Sequence, residues 1–582
     1  MNHLMRVLIV LGAAQMGVVS SSNAQTLVAN GAGSSALYLE AGQAAQTVSN
    51  GVDGALTCLW TAKSDPAKSL VATDTTTGVT ENGQSWIAWN TSTNCATPDA
   101  NTVVYAYEQT DSVVGNRLLF NPSTTTLTTP TASAGLIYPV TAAGGVGNEV
   151  SALPAGIAGL FAAAPINFAG TDIRPEDAEF ATVRALTTGG ASVGGSQYIG
   201  LGYASPSSIS SAFSGSVFHV ASFNLPSSFQ VFKFGAVPIL VTVNTASAAG
   251  TGFANTAIQN IDSQTLASIF DGSLSRTEDV SGITTNSEGI TVVEREPVSG
   301  TYNTFEFNIP NTVDNQTSQD VGLLQPAAYQ ALSGGVPINP LNISTKDGSK
   351  LRAIGTGEEL NAIFGGGSLT SYPPAGASII GYAFWSTQNF KGAYSGGHSL
   401  NTNARYLLVD DIDPLFNQGS GSYSYTGIIP TPVGSPAPGG AGFANVTLTN
   451  VANGTYPIWS FLRLVTSGAA NTAAAQAASA LATAAQSFVS FGGAASQADF
   501  IPAANATVLR SHFIPPTLTL TSVLSNGTTV TNSGTIHGIN EPESGGDVGG
   551  EVLTVVSDQD YIKDYQASSA TSKHVGHTGL RR

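Results

Sequence analysis

The chain has 582 residues, with 20 Lys and Arg against 37 Asp and Glu, a formal net charge of -17, and only 10% charged residues beside 42% hydrophobic ones. So few cations exclude a protein that binds nucleic acid by neutralising phosphates. A small anion is not excluded, because surface charge is screened beyond about 8 Å at physiological salt and local donors decide. The length supports two domains or more, and 65 Gly with 28 Pro predict long loops.

Residues 1–24 carry Arg6 ahead of an apolar stretch from Val7 to Val19 and end in Ser22-Asn23-Ala24, the small-x-small pattern of a cleavable export signal. The mature chain is expected to start at Gln25 without a lipid-anchor cysteine, giving a periplasmic or secreted protein. No later apolar run reaches the roughly 20 residues that span a bilayer. Cys58 and Cys95 fit that address, since an oxidising compartment allows them to pair. Two buried free thiols are the plainer alternative.

Runs with strand character follow at Thr102 to Tyr105, Val237 to Val243, Ile290 to Val293, Ser378 to Phe384 and Tyr406 to Val409. The Thr-rich stretch Ser123 to Gly135 and the Pro/Gly-rich stretch Pro430 to Gly442 read as loops. Helices are predicted over Thr265 to Phe270 with Gly272 as a stop, over Glu358 to Phe364 before Gly365-Gly-Gly367, and over Ala469 to Val489 before Gly492-Gly493. Strands alternating with helices argue for parallel sheets in an α/β fold. After Phe513-Ile-Pro-Pro516 the pattern becomes a hairpin, Thr517 to Val523 and Thr528 to Thr531 around Asn526-Gly527. From about Gly545 the tail is expected to be disordered.

The most informative stretch is Arg295-Glu-Pro-Val-Ser299-Gly300-Thr301, directly after the apolar run that starts at Ile290. A guanidinium offers a planar fork of donors matched to phosphate or carboxylate. Ser299 and Thr301 add hydroxyls, and Gly300 lets backbone N–H groups approach closely. A helix beginning after Thr301 would add its positive end to the grip. Taken alone, Arg295 also reads as an arginine paired with Glu294 or Glu296.

With these residues in view, the chain resembles the phosphate-binding proteins that feed bacterial phosphate ABC transporters, in short islands over roughly residues 26 to 510. Asn30-Gly31-Ala32-Gly33-Ser34-Ser35 is similar to that family's opening Gly-Ala-Gly turn and puts its hydroxyl contact on Ser35. Tyr107 to Ser112 resembles the family's Tyr-Gln…Gly-Ser segment and puts a second on Ser112, although the family's glycines are largely missing. Phe168-Ala-Gly170-Thr171-Asp172-Ile-Arg174-Pro175 is similar to its Gly-Ser-Asp-x-Pro segment, with one residue added before the proline, and makes Asp172 the matching carboxylate. Arg295, Ser299, Gly300 and Thr301 keep the family's Arg-x-x-x-Ser-Gly-Thr spacing without a gap. Val237 to Val243, Leu266 to Gly272, Ile380 to Phe384 and Tyr456-Pro-Ile458 resemble its strand and helix segments in the same order.

The resemblance implies a two-lobed, type II periplasmic-binding-protein-like α/β fold, hinged, with long loop insertions and a C-terminal extension. The expected division is a signal peptide at 1–24, lobe I at 25–240, lobe II at 241–455, a return to lobe I at 456–515 and the extension at 516–582. It implies inorganic phosphate as ligand, or another protonated oxyanion such as arsenate, with no cofactor, no metal and no catalysis. An ABC permease in the inner membrane is the implied partner of a monomer. Asp172 would accept the proton that phosphate still carries near neutral pH, whereas sulfate has none to give.

Two other readings stand beside this one. The long insertions suit a secreted or surface interaction protein built on the same scaffold. Gly190-Ala-Ser192-Val-Gly194 has the form of a hydrolase nucleophile elbow, but it follows Thr187-Thr-Gly-Gly190 and runs into Gly195-Ser196, without the strand and helix an elbow needs. His574 and His577 form a pair in the predicted tail and are read as incidental.

Overall fold

The computed structural model describes residues 25–49, 56–65, 67–127, 148–175, 177–179, 223–244, 252–254, 258–270, 274, 276–280, 289–296, 298–309, 329–333, 336–337, 349–353, 355–364, 378–386, 390, 404–421, 423–429, 446–486, 500–506, 520–523 and 529–532. The signal segment, Ser192, the Pro430 to Gly442 loop, the tail after Gly545 and the pair His574/His577 lie outside these residues.

Eleven strands and six helices carry the description. The strands are β1 (Thr26–Ser34), β2 (Leu56–Ala62), β3 (Ser85–Thr91), β4 (Val103–Thr110), β5 (Phe168–Thr171), β6 (Phe229–Asn244), β7 (Ile290–Arg295), β8 (Ser349–Ala353), β9 (Ser378–Phe384), β10 (Ala404–Val409) and β11 (Trp459–Ser467). The helices are α1 (Tyr38–Ser49), α2 (Ser112–Phe120), α3 (Ser263–Phe270), α4 (Gly300–Asn308), α5 (Gly355–Phe364) and α6 (Ala473–Ala485).

The strands run in the order β8-β7-β9-β6-β11-β5-β1-β4-β3-β2. One parallel group, β5-β1-β4, forms the centre of the first lobe, with β3 and β2 added antiparallel at its edge. A second parallel group, β8-β7-β9, forms the centre of the second lobe. These strands read as near-continuous apolar runs because a parallel sheet is covered on both faces, and all six residues of β7 are buried.

The 16-residue strand β6 joins the two lobes. Its first part, Phe229 to Pro238, pairs antiparallel with β11, and its second part, Ile239 to Val243, pairs antiparallel with β9. From Phe234 onward every residue of β6 is buried, so one stretch of backbone supports both cores. β11 in turn pairs antiparallel with β5 and carries the chain back to the first lobe.

Local chemistry explains where the predicted elements shift. The Ala-rich helix begins at Ala473 and not at Ala469, because the Thr472 side chain accepts from the Ala475 N–H at 3.2 Å and so caps it. Helix α3 begins two residues early, after Asp262, whose carboxylate accepts from the Thr265 N–H at 2.8 Å.

The stretch Ser123 to Gly135 is not a loop over its first part. Ser123–Leu127 is a strand that pairs with Leu70–Asp74, which also pairs with Val79–Asn82 in a separate four-stranded sheet. Threonine is β-branched, and a Thr run suits a pleated half-buried surface as well as it suits a turn. A buried ion pair at 2.7 Å, Arg117 to Asp74, ties this sheet to α2.

Cys58 and Cys95 form a disulfide with a Cα–Cα distance of 5.6 Å, closing a loop with a sequence separation of 37 residues. Loop-closure entropy assigns such a crosslink about 4 kcal/mol. Near the C-terminus Leu520–Val523 pairs antiparallel with Thr529–Asn532, while the connecting Asn526-Gly527 lies outside the described residues. Among the described residues no helix is long and apolar enough to cross a membrane.

Candidate functional site

The parallel strands aim their C-terminal ends at one place, the crevice in which open α/β sheets bind ligands. Ser35 follows β1, Asp111 and Ser112 follow β4, Asp172 follows β5, Glu296 and Ser299 follow β7, and Thr356 lies just beyond β8. Three helices also begin there: α2 at Ser112, α4 at Gly300 and α5 at Gly355.

Glycine is required where β1 leaves the sheet. Gly33 has φ +145, and a Cβ on it would collide with the backbone carbonyl of Gly170 on the neighbouring strand β5. The close approach brings the turn after β1 beside the turn after β5. Ser34 then accepts from the Ala36 N–H at 3.1 Å and starts a short 3-10 turn. The Tyr107 hydroxyl donates to the Ser34 carbonyl at 2.8 Å and fixes this corner.

The first half of the site centres on Asp172. The Ser112 hydroxyl donates to its carboxylate, and its backbone N–H donates to Ser112 Oγ at 3.2 Å. Its carbonyl accepts from the Ser460 hydroxyl at 2.5 Å and from Arg463 Nη1 at 3.5 Å, both on β11. Burial pushes the Asp172 carboxyl up to about 7, against the pull of Arg295 and Arg463.

Gly300 closes this half from the other lobe. A Cβ at Gly300 would fall on the Asp172 carboxylate and Ser112 Oγ, so only glycine lets the start of α4 come this close. The Ser299 side chain caps α4 by accepting from the Tyr302 N–H at 3.5 Å. A second interlobe link is the Val113 N–H donating to the Val298 carbonyl at 3.2 Å. Thr301 is buried in the first turn of α4.

The second half centres on Arg295. Its guanidinium holds Glu296 with two bonds, Nε to Oε2 at 3.0 Å and Nη2 to Oε1 at 2.7 Å. Nη1 donates to Thr356 Oγ1 at 2.8 Å, and Nη2 also donates to Asp111 Oδ1 at 3.0 Å, across to the first lobe. The Gly355 N–H, at the start of α5, donates to both Glu296 oxygens at 3.3 Å. Ser35 stands at the rim, its Oγ 3.5 Å from Thr356 Oγ1.

These charges are nearly dry, with Arg295 at 1% and Glu296 at 0% side-chain exposure. Burial opposes the arginine's charge, but Glu296, Asp111 and Glu359 outweigh it and hold its pKa above the ordinary value. Glu296 stays below the usual carboxylate range because the Arg295 attraction and hydrogen bonds exceed the cost of burial. Asp111 is pushed well up by burial and by the negative Glu296.

Of the residues singled out in the sequence, Ser112, Asp172 and Gly300 come into direct contact, and Ser299, Thr301, Ser35 and Arg295 surround them. Sequence reasoning did not single out Asp111, Thr356 or Arg463, and it weighed Glu296 only as an ordinary partner of Arg295. Asp111 carried a usable signal, an acidic residue just ahead of a predicted site serine. Thr356 carried little, since one threonine after a glycine is common in this chain. Arg174 is a buried residue, 1% exposed.

No protein-family model matches the chain, and no curated protein matches it. Among solved structures it is similar to an ABC-type phosphate transport receptor from Vibrio cholerae at 14% identity and TM-score 0.26, covering 46% of this chain and 73% of that one. It is similar to a phosphate binding protein from Stenotrophomonas maltophilia at 15% identity and TM-score 0.26, covering 59% and 77%. A high-affinity periplasmic phosphate-binding protein, PfluDING, bound with phosphate, is matched at 14% identity and TM-score 0.25, covering 64% and 87%.

Proposed function

We propose that this chain is an exported solute-binding protein that holds inorganic phosphate between its two lobes. One observation carries the reading: a guanidinium, a serine hydroxyl, a helix start at a glycine and a buried carboxyl converge where parallel strands of both lobes end. Arg295 supplies charge, Ser112, Ser35, Ser299 and Thr301 supply hydroxyls, and Gly300 supplies backbone N–H. Asp172 supplies an acceptor for the proton that distinguishes phosphate from sulfate. The group binds and does not transform its ligand, and delivery to a membrane permease is the role the resemblance implies.

The Asp172 carboxyl sets a pH condition on this selectivity. Above about 7 it is ionised, accepts the phosphate proton and faces sulfate with acceptor against acceptor. Below about 7 it is protonated and can donate to either anion. Calorimetry on the mature protein at pH 8 should show phosphate binding and sulfate bound about tenfold to a hundredfold more weakly or not at all. At pH 5 that gap should narrow. No measurable phosphate binding at pH 8 overturns the ligand assignment, and a phosphate-to-sulfate ratio that does not change with pH removes Asp172 from the selectivity.

A further inference from the structure

The geometry points to Asp111 as an in-built occupant of the arginine fork, a carboxyl group of the chain itself that an incoming oxyanion must displace from Arg295. This rests on the reading of the cleft as a phosphate site and adds the residue that sets its affinity. Asp111 Oδ1 lies 3.0 Å from Arg295 Nη2. Glu296 and Thr356, which also bond the guanidinium, come from the second lobe. Asp111 reaches it from the first lobe, from the position next to Ser112. A ligand held between Ser112 and Arg295 therefore meets the guanidinium where this carboxyl stands.

The local structure shows that Asp111 gives up another role to do this. It occupies the N-cap position of α2, where an aspartate ordinarily accepts a hydrogen bond from the first turn of its own helix. Here it makes no such capping bond. Its side chain, 14% exposed, is directed across the lobe boundary onto Arg295. A carboxyl so placed presents to the fork the oxygen acceptor that an incoming anion would present, on the same donor.

Binding then becomes an exchange in which the ligand gains Arg295 only by releasing Asp111. Phosphate affinity is lower than an unoccupied fork would give, and the lobes stay linked through Asp111 and Arg295 until the exchange occurs. Asp111→Gly tests this directly, since glycine is tolerated at a helix N-cap and no capping bond is lost. Asp111→Asn removes the group's capacity to ionise and keeps the shape.

Phosphate is titrated calorimetrically at pH 8 into the mature wild type, Asp111→Gly and Asp111→Asn, with thermal unfolding as a check on folding. The expected result is binding at least tenfold tighter in Asp111→Gly, with Asp111→Asn intermediate; if the glycine variant fails to fold, the asparagine variant decides. Tighter binding in the variants than in a wild type that also binds supports both the exchange and the phosphate reading, whereas binding seen only in the variants supports the exchange and overturns phosphate as the wild-type ligand. Wild type and variants binding phosphate equally, or the variants binding more weakly, overturns the exchange and leaves the phosphate reading intact. No binding by any of the three overturns both.

Discussion

The two halves of the site solve opposite problems. Around Asp172 the carboxylate is met by small groups, a serine hydroxyl and a glycine, while Ser460 and Arg463 of the neighbouring strand bond its carbonyl. Around Arg295 they are ionic, with Glu296 in a two-point grip, Asp111 from across the lobes and Thr356 at a helix start. In the proposed phosphate site the first half would select by the position of one proton. The second holds a charge in a dry place, which succeeds only while its partners are present. On the proposed reading, selectivity and charge compensation fall to different residues, and altering one should have limited effect on the other.

The largest effect should come from Arg295→Ala. Removing the guanidinium leaves Glu296 buried without its partner, and breaking such a pair costs about 3–5 kcal/mol. Urea unfolding should show that loss, and calorimetry should show phosphate binding reduced at least a hundredfold. Arg174→Ala is the control, since that side chain is also buried and its removal should spare affinity far better. Equal affinity losses would mean that the wrong arginine has been chosen.

Asp172→Asn should have a smaller and qualitatively different effect. Phosphate should weaken by about 1–3 kcal/mol as an acceptor is lost, while sulfate gains a donor. Stability should change in its pH dependence. The carboxyl is raised to about 7 in the folded state from about 3.9 in an unfolded chain, so the fold holds this proton more tightly than the unfolded chain does. Its contribution is therefore full below about pH 4 and is lost as pH rises towards about 7. Thermal midpoints of wild type should fall more steeply across that window than those of Asp172→Asn, and parallel slopes would remove Asp172 as the source.

The smallest effect should be that of Thr356→Val, which deletes the hydroxyl that accepts from Arg295 Nη1. A single neutral partner of a charged donor is worth about 1 kcal/mol or slightly more. Phosphate affinity should drop several-fold with the sulfate ratio unchanged. A changed ratio would show that the two halves are not separable.

Much of the framework was legible because it is local. Ser378 to Phe384 reads as a strand and is one, and the Arg295-to-Thr301 stretch spells out strand, turn and helix start within seven residues. Thr-rich Ser123–Leu127 misread as loop because β-branching and turn preference overlap in threonine, and pairing with Leu70–Asp74 settled the matter. Ser112 and Asp172 were placed in the site by resemblance, but their direct contact joins residues 60 apart.

By itself the sequence determined an acidic α/β protein with an arginine, a serine hydroxyl and a glycine packed into one turn, because neighbouring residues set backbone conformation through short-range sterics and hydrogen bonds. Only the tertiary structure decided what surrounds that arginine. Asp111 is 184 residues away along the chain and Thr356 is 61, and they meet it because strand order brings the ends of β4, β7 and β8 together. A carboxyl's partner in a dry interior is chosen by which side chain the fold brings to it, here Arg295 at 3.0 Å from Asp111, and no local pattern encodes that.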